Sequence, residues 1–182
     1  MTHALNKQFG LVSAGAFPPH ATLIGNLATQ ASEDRLISAL DPVFENVHPF
    51  PVHNSGIDRK ELGTYEYNIN LDETVTKPNE PLARVAAAVA KAVAPLSAPV
   101  DDYLVTPVAE YEFSAHLGLA SHDLVVDNHL SEEVGDFLTE FALQPPDSFI
   151  ARWYSLFEFR SEWSSHWWHH MTWRHVHSWK AA

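Results

Sequence analysis

The chain of 182 residues carries 11 Lys and Arg against 23 Asp and Glu, a formal charge of −12, with 46% apolar and 12% aromatic residues. This length fits one domain that buries about 70% of the surface its unfolded chain exposes, and the composition excludes disorder, collagen and coiled coil. The charge repels phosphate polymers and anionic lipid, which speaks against long nucleic acid and membrane surfaces as partners. With no cysteine there is no disulfide, thiolate metal site or cysteine nucleophile. Met1 to Gln8 lacks an apolar core of signal length, and no stretch approaches 18 consecutive apolar residues, so a soluble, cytoplasmic protein is expected.

In chain order, strand signals fall at Phe9 to Val12 and His20 to Leu27. Ser32 is placed to cap a helix with Leu36, Ile37, Leu40 and Phe44 on one face, which Pro42 is expected to kink or restart. Tyr65, Tyr67, Ile69 and Leu71 alternate with Glu66, Asn68 and Asn70, the pattern of a half-buried strand. From about Asn79, the spacing of Leu82, Val85, Ala86, Val89 and Val93 predicts a second helix, with Pro81 tolerated in its first turn. A strand is expected over Tyr111 to Leu119. A third helix starts at Ser131, with Glu132 and Glu133 at its positive end and Val134, Phe137, Leu138 and Phe141 facing inward. Phe149 to Phe159 and Thr172 to Trp179 close the chain as strands. Without a strict βαβ rhythm this is an α+β fold with largely antiparallel sheet, one domain over 1–182 whose two halves of similar content meet near Pro95 to Pro99.

Charge and rings are unevenly spread. Eleven acids and no Lys or Arg lie between Asp101 and Asp147, while all six Trp and five of the twelve His lie between Trp153 and Trp179. These stretches read as a solvated acidic face beside an aromatic-rich strand pair, or as a cleft wall. Asp101-Asp102 reads as a loop and Glu132-Glu133 as a helix start. The seven glycines match no phosphate-binding loop.

In an extended segment, His20 and Thr22 share one face and Ala21 and Leu23 the other. An imidazole near neutral pKa beside a hydroxyl suits phosphate chemistry, one moving a proton and the other donating to a phosphoryl oxygen. A second such segment, Ser114-Ala115-His116-Leu117-Gly118-Leu119-Ala120, follows roughly half a chain later. Pro19-His20-Ala21-Thr22-Leu23-Ile24-Gly25 followed by His116-Leu117-Gly118-Leu119-Ala120 resembles the two-histidine phosphoesterase superfamily, whose signature is a pair of His-x-Thr/Ser-x motifs.

The resemblance covers about twelve residues in motif and most of the chain in element order. It implies two pseudo-symmetric lobes enclosing a groove, with His20 and His116 as the acid/base pair and Thr22 on a phosphate oxygen. No cofactor or metal is implied. Gly118 departs from the pattern: it stands where the family carries Thr or Ser and offers no donor. Ser114, on the same strand face, is placed to replace it, or the glycine makes room for a bulkier substrate. The expected activity is hydrolysis of a small phosphodiester, a nucleoside 2′,3′-cyclic phosphate or 2′,5′-linked nucleotide, with Tyr65, Tyr67 or a tail tryptophan stacking on a base.

Two rivals come from other classes. One is a binding module on the same fold whose second motif has eroded at Gly118. The other is a metal-dependent enzyme built on the tail, where His166 and His170 are neighbours if helical and His175 and His177 share a face if extended, with His169 beside them. His170-Met171-Thr172 is also a literal His-x-Thr, ranked below His116 because too little chain follows it for a further helix and strand.

Overall fold

The computed structural model describes residues 1–99, 107–108, 111–141, 145–163 and 166–182. The expectation for Asp101-Asp102 lies outside them. Helices and antiparallel sheets mix along the chain, in the order α1 (Thr2–Phe9), α2 (Ser13–Ala16), α3 (Glu33–Phe44), β1 (Phe50–His53), β2 (Ile57–Arg59), β3 (Tyr65–Asn68), α4 (Glu80–Val93), β4 (His116–Ala120), α5 (His122–Val126), α6 (Ser131–Glu140), β5 (Ser148–Ala151), β6 (Trp153–Arg160) and β7 (Thr172–Lys180). No described helix is long and apolar enough to cross a membrane.

Local rules account for most of the helices. The Ser32 side chain accepts from the Arg35 N–H at the start of α3, and Leu36, Leu40 and Phe44 are buried along it. The helix does not restart at Pro42. The proline sits in the last turn, where it removes one hydrogen bond, and the Asn46 amide donates back to the Pro42 carbonyl. Asn79 caps α4 through the Leu82 N–H, and all five expected apolar positions of that helix are buried. In α6, Val134 and Leu138 are buried, whereas Phe141 is partly exposed.

Two strand expectations fail for identifiable reasons. Phe9 ends a helix, because Gly10 at φ 74° supplies the left-handed residue that terminates α1. His20 to Leu27 forms no strand. Pro18 and Pro19 lack ladder donors at its entry, and Leu23, Ile24 and Leu27 are covered by packing against α3, α4, β6 and β7 instead. The stretch from Phe149 splits into β5 and β6 at Arg152, and the strand expected over Tyr111 to Leu119 starts only at His116 and runs to Ala120.

The described strands form three antiparallel groups, β1-β5, β2-β3-β4 and β6-β7. One apolar cluster joins α1, β3, β4, α5 and α6, another α3, α4, β6 and β7, and a third, Val52, Ile69, Leu82 and Ala115, lies with β1, β3, α4 and the approach to β4. The first two clusters each draw residues from both sides of Pro95 to Pro99.

Candidate active site

The His20 segment begins at α2, one turn long, fixed by a single carboxylate. Asp123 Oδ2 accepts from the Val12 and Ser13 N–H groups at 3.1 and 2.7 Å and from the Ser13 hydroxyl, and the Asp123 N–H donates to Ser13 Oγ at 3.1 Å. Ser13 is 1% exposed, so this reciprocal cap is sheltered. It fastens the start of α2 to the start of α5, the helix that follows β4. Phe17 leaves α2 extended, as a residue before proline must, and its ring meets His20 at 5.6 Å, Phe159 at 5.2 Å and Trp167 at 5.3 Å between centroids.

The two motif histidines are presented alike. His20 Nδ1 lies 2.6 Å from the Pro18 carbonyl and His116 Nδ1 lies 2.9 Å from the Ser114 carbonyl, each two residues back. A carbonyl only accepts, so each Nδ1 carries the proton and each neutral ring keeps its lone pair on Nε2. The rings also share one electrostatic neighbourhood. His20 is solvent-exposed, but protein crowds the ring. Desolvation is the main influence lowering its pKa below 6.5, the Pro18 hydrogen bond opposes it, and the nearby His116 adds to the lowering. The Thr22 hydroxyl has no hydrogen-bond partner among the described residues.

Register places residues beside His116 that the motif does not contain. Across β3 and β4, Asn68 pairs with His116 and Glu66 with Gly118, while Asp58 of β2 pairs with Glu66. Glu66 Oε1 takes Lys60 Nζ at 2.8 Å, and Glu66 Oε2 lies 3.8 Å from His116 Nδ1. Lys60 is also 3.9 Å from Asp58, whose carboxylate accepts from Asn68 Nδ2 at 2.9 Å. The alternation Tyr65-Glu66-Tyr67-Asn68 already puts Glu66 and Asn68 on one face; which strand lies next to them is not in the pattern. Ser114 and Gly118 are exposed, and a Cβ at Gly118 meets no atom within 4 Å.

Tyr65 and Tyr67 do not face this surface. They are 7% and 8% exposed and belong to the cluster under α1, α5 and α6. The Tyr65 hydroxyl donates to the Ser131 carbonyl at 2.8 Å, and a side chain at Gly135 would run into the Tyr65 ring. Burial also raises the Tyr67 pKa. Neither is available to stack on a base, because their face of the sheet is the core face.

The tail supports the His20 segment from behind. Trp167 and Trp168, in a short 3₁₀ turn over Trp167–His169, are buried. Trp173 is 45% exposed and its indole N–H donates to the Ala16 carbonyl at 3.1 Å. His166 and His170 flank that turn and share no α-helix. His175 Nε2 lies 2.7 Å from Ser178 Oγ, and the His177 ring packs on Trp179 at 4.6 Å. Among the described residues, no three His, Asp or Glu side chains converge as metal ligands. Thr172 opens β7 directly after His170 and Met171.

No protein-family model, curated protein or solved structure matches the chain.

Proposed function

We propose that this chain is a metal-independent phosphodiester hydrolase for a small cyclic or 2′,5′-linked nucleotide, with His20 and His116 working across a groove between two lobes of sheet, as the likeness to two-histidine phosphoesterases implies. One observation carries the reading. Two imidazoles in each other's electrostatic range both commit Nδ1 to the carbonyl two residues back, which leaves two Nε2 atoms for one phosphate.

His20, held below its ordinary pKa, is neutral at pH 7 and takes the proton from the attacking water. The water oxygen bonds to phosphorus and the bond from phosphorus to the ribose oxygen breaks, and His116, working in its imidazolium form with a second proton on Nε2, gives that proton to the leaving oxygen and returns to the neutral ring. Thr22, with its unengaged hydroxyl, holds a phosphoryl oxygen as charge develops. Trp173, exposed and tied to the chain just before Phe17, is the tail ring best placed to stack on a base.

The test is product release from nucleoside 2′,3′-cyclic phosphates and 2′,5′-linked dinucleotides in excess chelator. Turnover that falls about a hundredfold or more in His20→Ala and in His116→Ala is expected, with a bell-shaped pH profile whose limbs belong to the pair. Absence of turnover on the whole panel, or unchanged rates in both variants, overturns the assignment. Micromolar binding without turnover would favour the binding module.

A further inference from the structure

The surface beside His116 differs from a plain phosphate cradle. Glu66 and Gly118 are directly opposed across β3 and β4, so their Cβ positions are roughly 5 Å apart on the same face. Gly118 leaves that place open, since a Cβ there meets nothing within 4 Å. The Glu66 side chain is only 12% exposed, with one oxygen held by Lys60 and the other turned toward His116. A carboxylate is an acceptor only. Where the motif of the resembled family carries a hydroxyl donor, this chain therefore has a gap bordered by an acceptor. Lys60 offsets one of the two negative charges of Glu66 and Asp58, so the three together keep a net negative charge. A phosphate oxygen over Gly118 would meet like charge, and a sugar hydroxyl there would find a hydrogen-bond acceptor.

We propose that Gly118 and Glu66 form a subsite for an uncharged, hydrogen-bond-donating part of the substrate, the hydroxyl-bearing sugar, and that Glu66 excludes a second phosphate group from it. This rests on the hydrolase reading for its substrate and narrows that substrate to a diester carrying a single negative charge. Glu66 acts here as a specificity determinant, and Lys60 as the group that holds one of its oxygens.

The test compares a nucleoside 2′,3′-cyclic phosphate bearing a free 5′-hydroxyl with the same compound bearing a 5′-phosphate, and measures inorganic phosphate binding by calorimetry. The wild type should favour the 5′-hydroxyl form in kcat/KM by about tenfold or more. Glu66→Gln should bring that preference to within about twofold and tighten inorganic phosphate binding about tenfold. Glu66→Asp should retain the preference, and Lys60→Met should weaken phosphate binding, a change opposite in sign to that of Glu66→Gln. Gly118→Ser alone should gain nothing, because its hydroxyl donates to Glu66, whereas Gly118→Ser with Glu66→Gln should bind phosphate tighter than Glu66→Gln alone. An undiminished preference in Glu66→Gln, or phosphate binding no tighter than in the wild type, overturns the subsite. Tighter phosphate binding in Glu66→Gln with no turnover by any form would end the hydrolase reading and leave the charge filter standing.

Discussion

His20 and His116 reach the same local arrangement from opposite kinds of backbone. His116 opens β4 and is held by a ladder to β3, whereas His20 follows two prolines in a segment without strand pairing. The second motif takes its rigidity from a sheet. The first takes it from restricted φ at Pro18 and Pro19, from the Phe17 ring wedged among His20, Phe159 and Trp167, and from the Asp123 cap on α2. A hydrogen bond from Nδ1 to the carbonyl two residues back thus needs no strand. The difference predicts that the His20 side is the more easily loosened.

Asp123→Ala should break the comparison most strongly. It removes a sheltered carboxylate that serves two backbone N–H groups and a hydroxyl, so a loss of about 2 kcal/mol in urea unfolding is expected. Amide exchange should quicken over residues 11–20 while β4 stays protected. Equal loosening of β4 would show that both motifs depend on the same clamp.

Pro19→Ala is a milder change of the same kind. It returns freedom to the unfolded chain and should cost about 0.4–1 kcal/mol. Its effect on turnover should exceed that of Leu117→Val on the other motif, since β4 is constrained by its neighbour. Equal effects on turnover would mean that the prolines do not set the His20 geometry.

The smallest effects are protonic. Replacing His116 by Ala should move the His20 titration upward, because a neighbour that lowers it is removed. This is read by NMR and needs no substrate; an unmoved His20 would show that the rings do not sense each other. Burial also lowers the His122 pKa, against the pull of Asp123. Both histidines resist in the folded state a proton that the unfolded chain accepts. Stability is therefore full above their ordinary 6.5 and falls as pH drops below it. Urea titrations between pH 7.5 and 5 should show that slope, and His20→Gln and His122→Gln should each flatten it.

The sequence by itself determined the elements whose causes are local. Ser32, Asn79 and the apolar spacing behind them specify α3 and α4, and the run from Thr172 specifies β7, because caps and periodicity act within a few residues. The placing of His116 and Gly118 on one strand face is local in the same sense. Tertiary structure decided what alternation leaves open. Alternation states that Tyr65 and Tyr67 share a face and that Glu66 and Asn68 share the other, but packing with α6, where Gly135 admits the Tyr65 ring, made the tyrosine face the core. Strand register then set Glu66 across from Gly118, a contact between residues half a hundred positions apart that no local spacing encodes. The His20 segment shows the same limit: its apolar side chains fit a strand pattern, but they are buried against distant helices and strands, and the prolines before it supply no donors for a ladder.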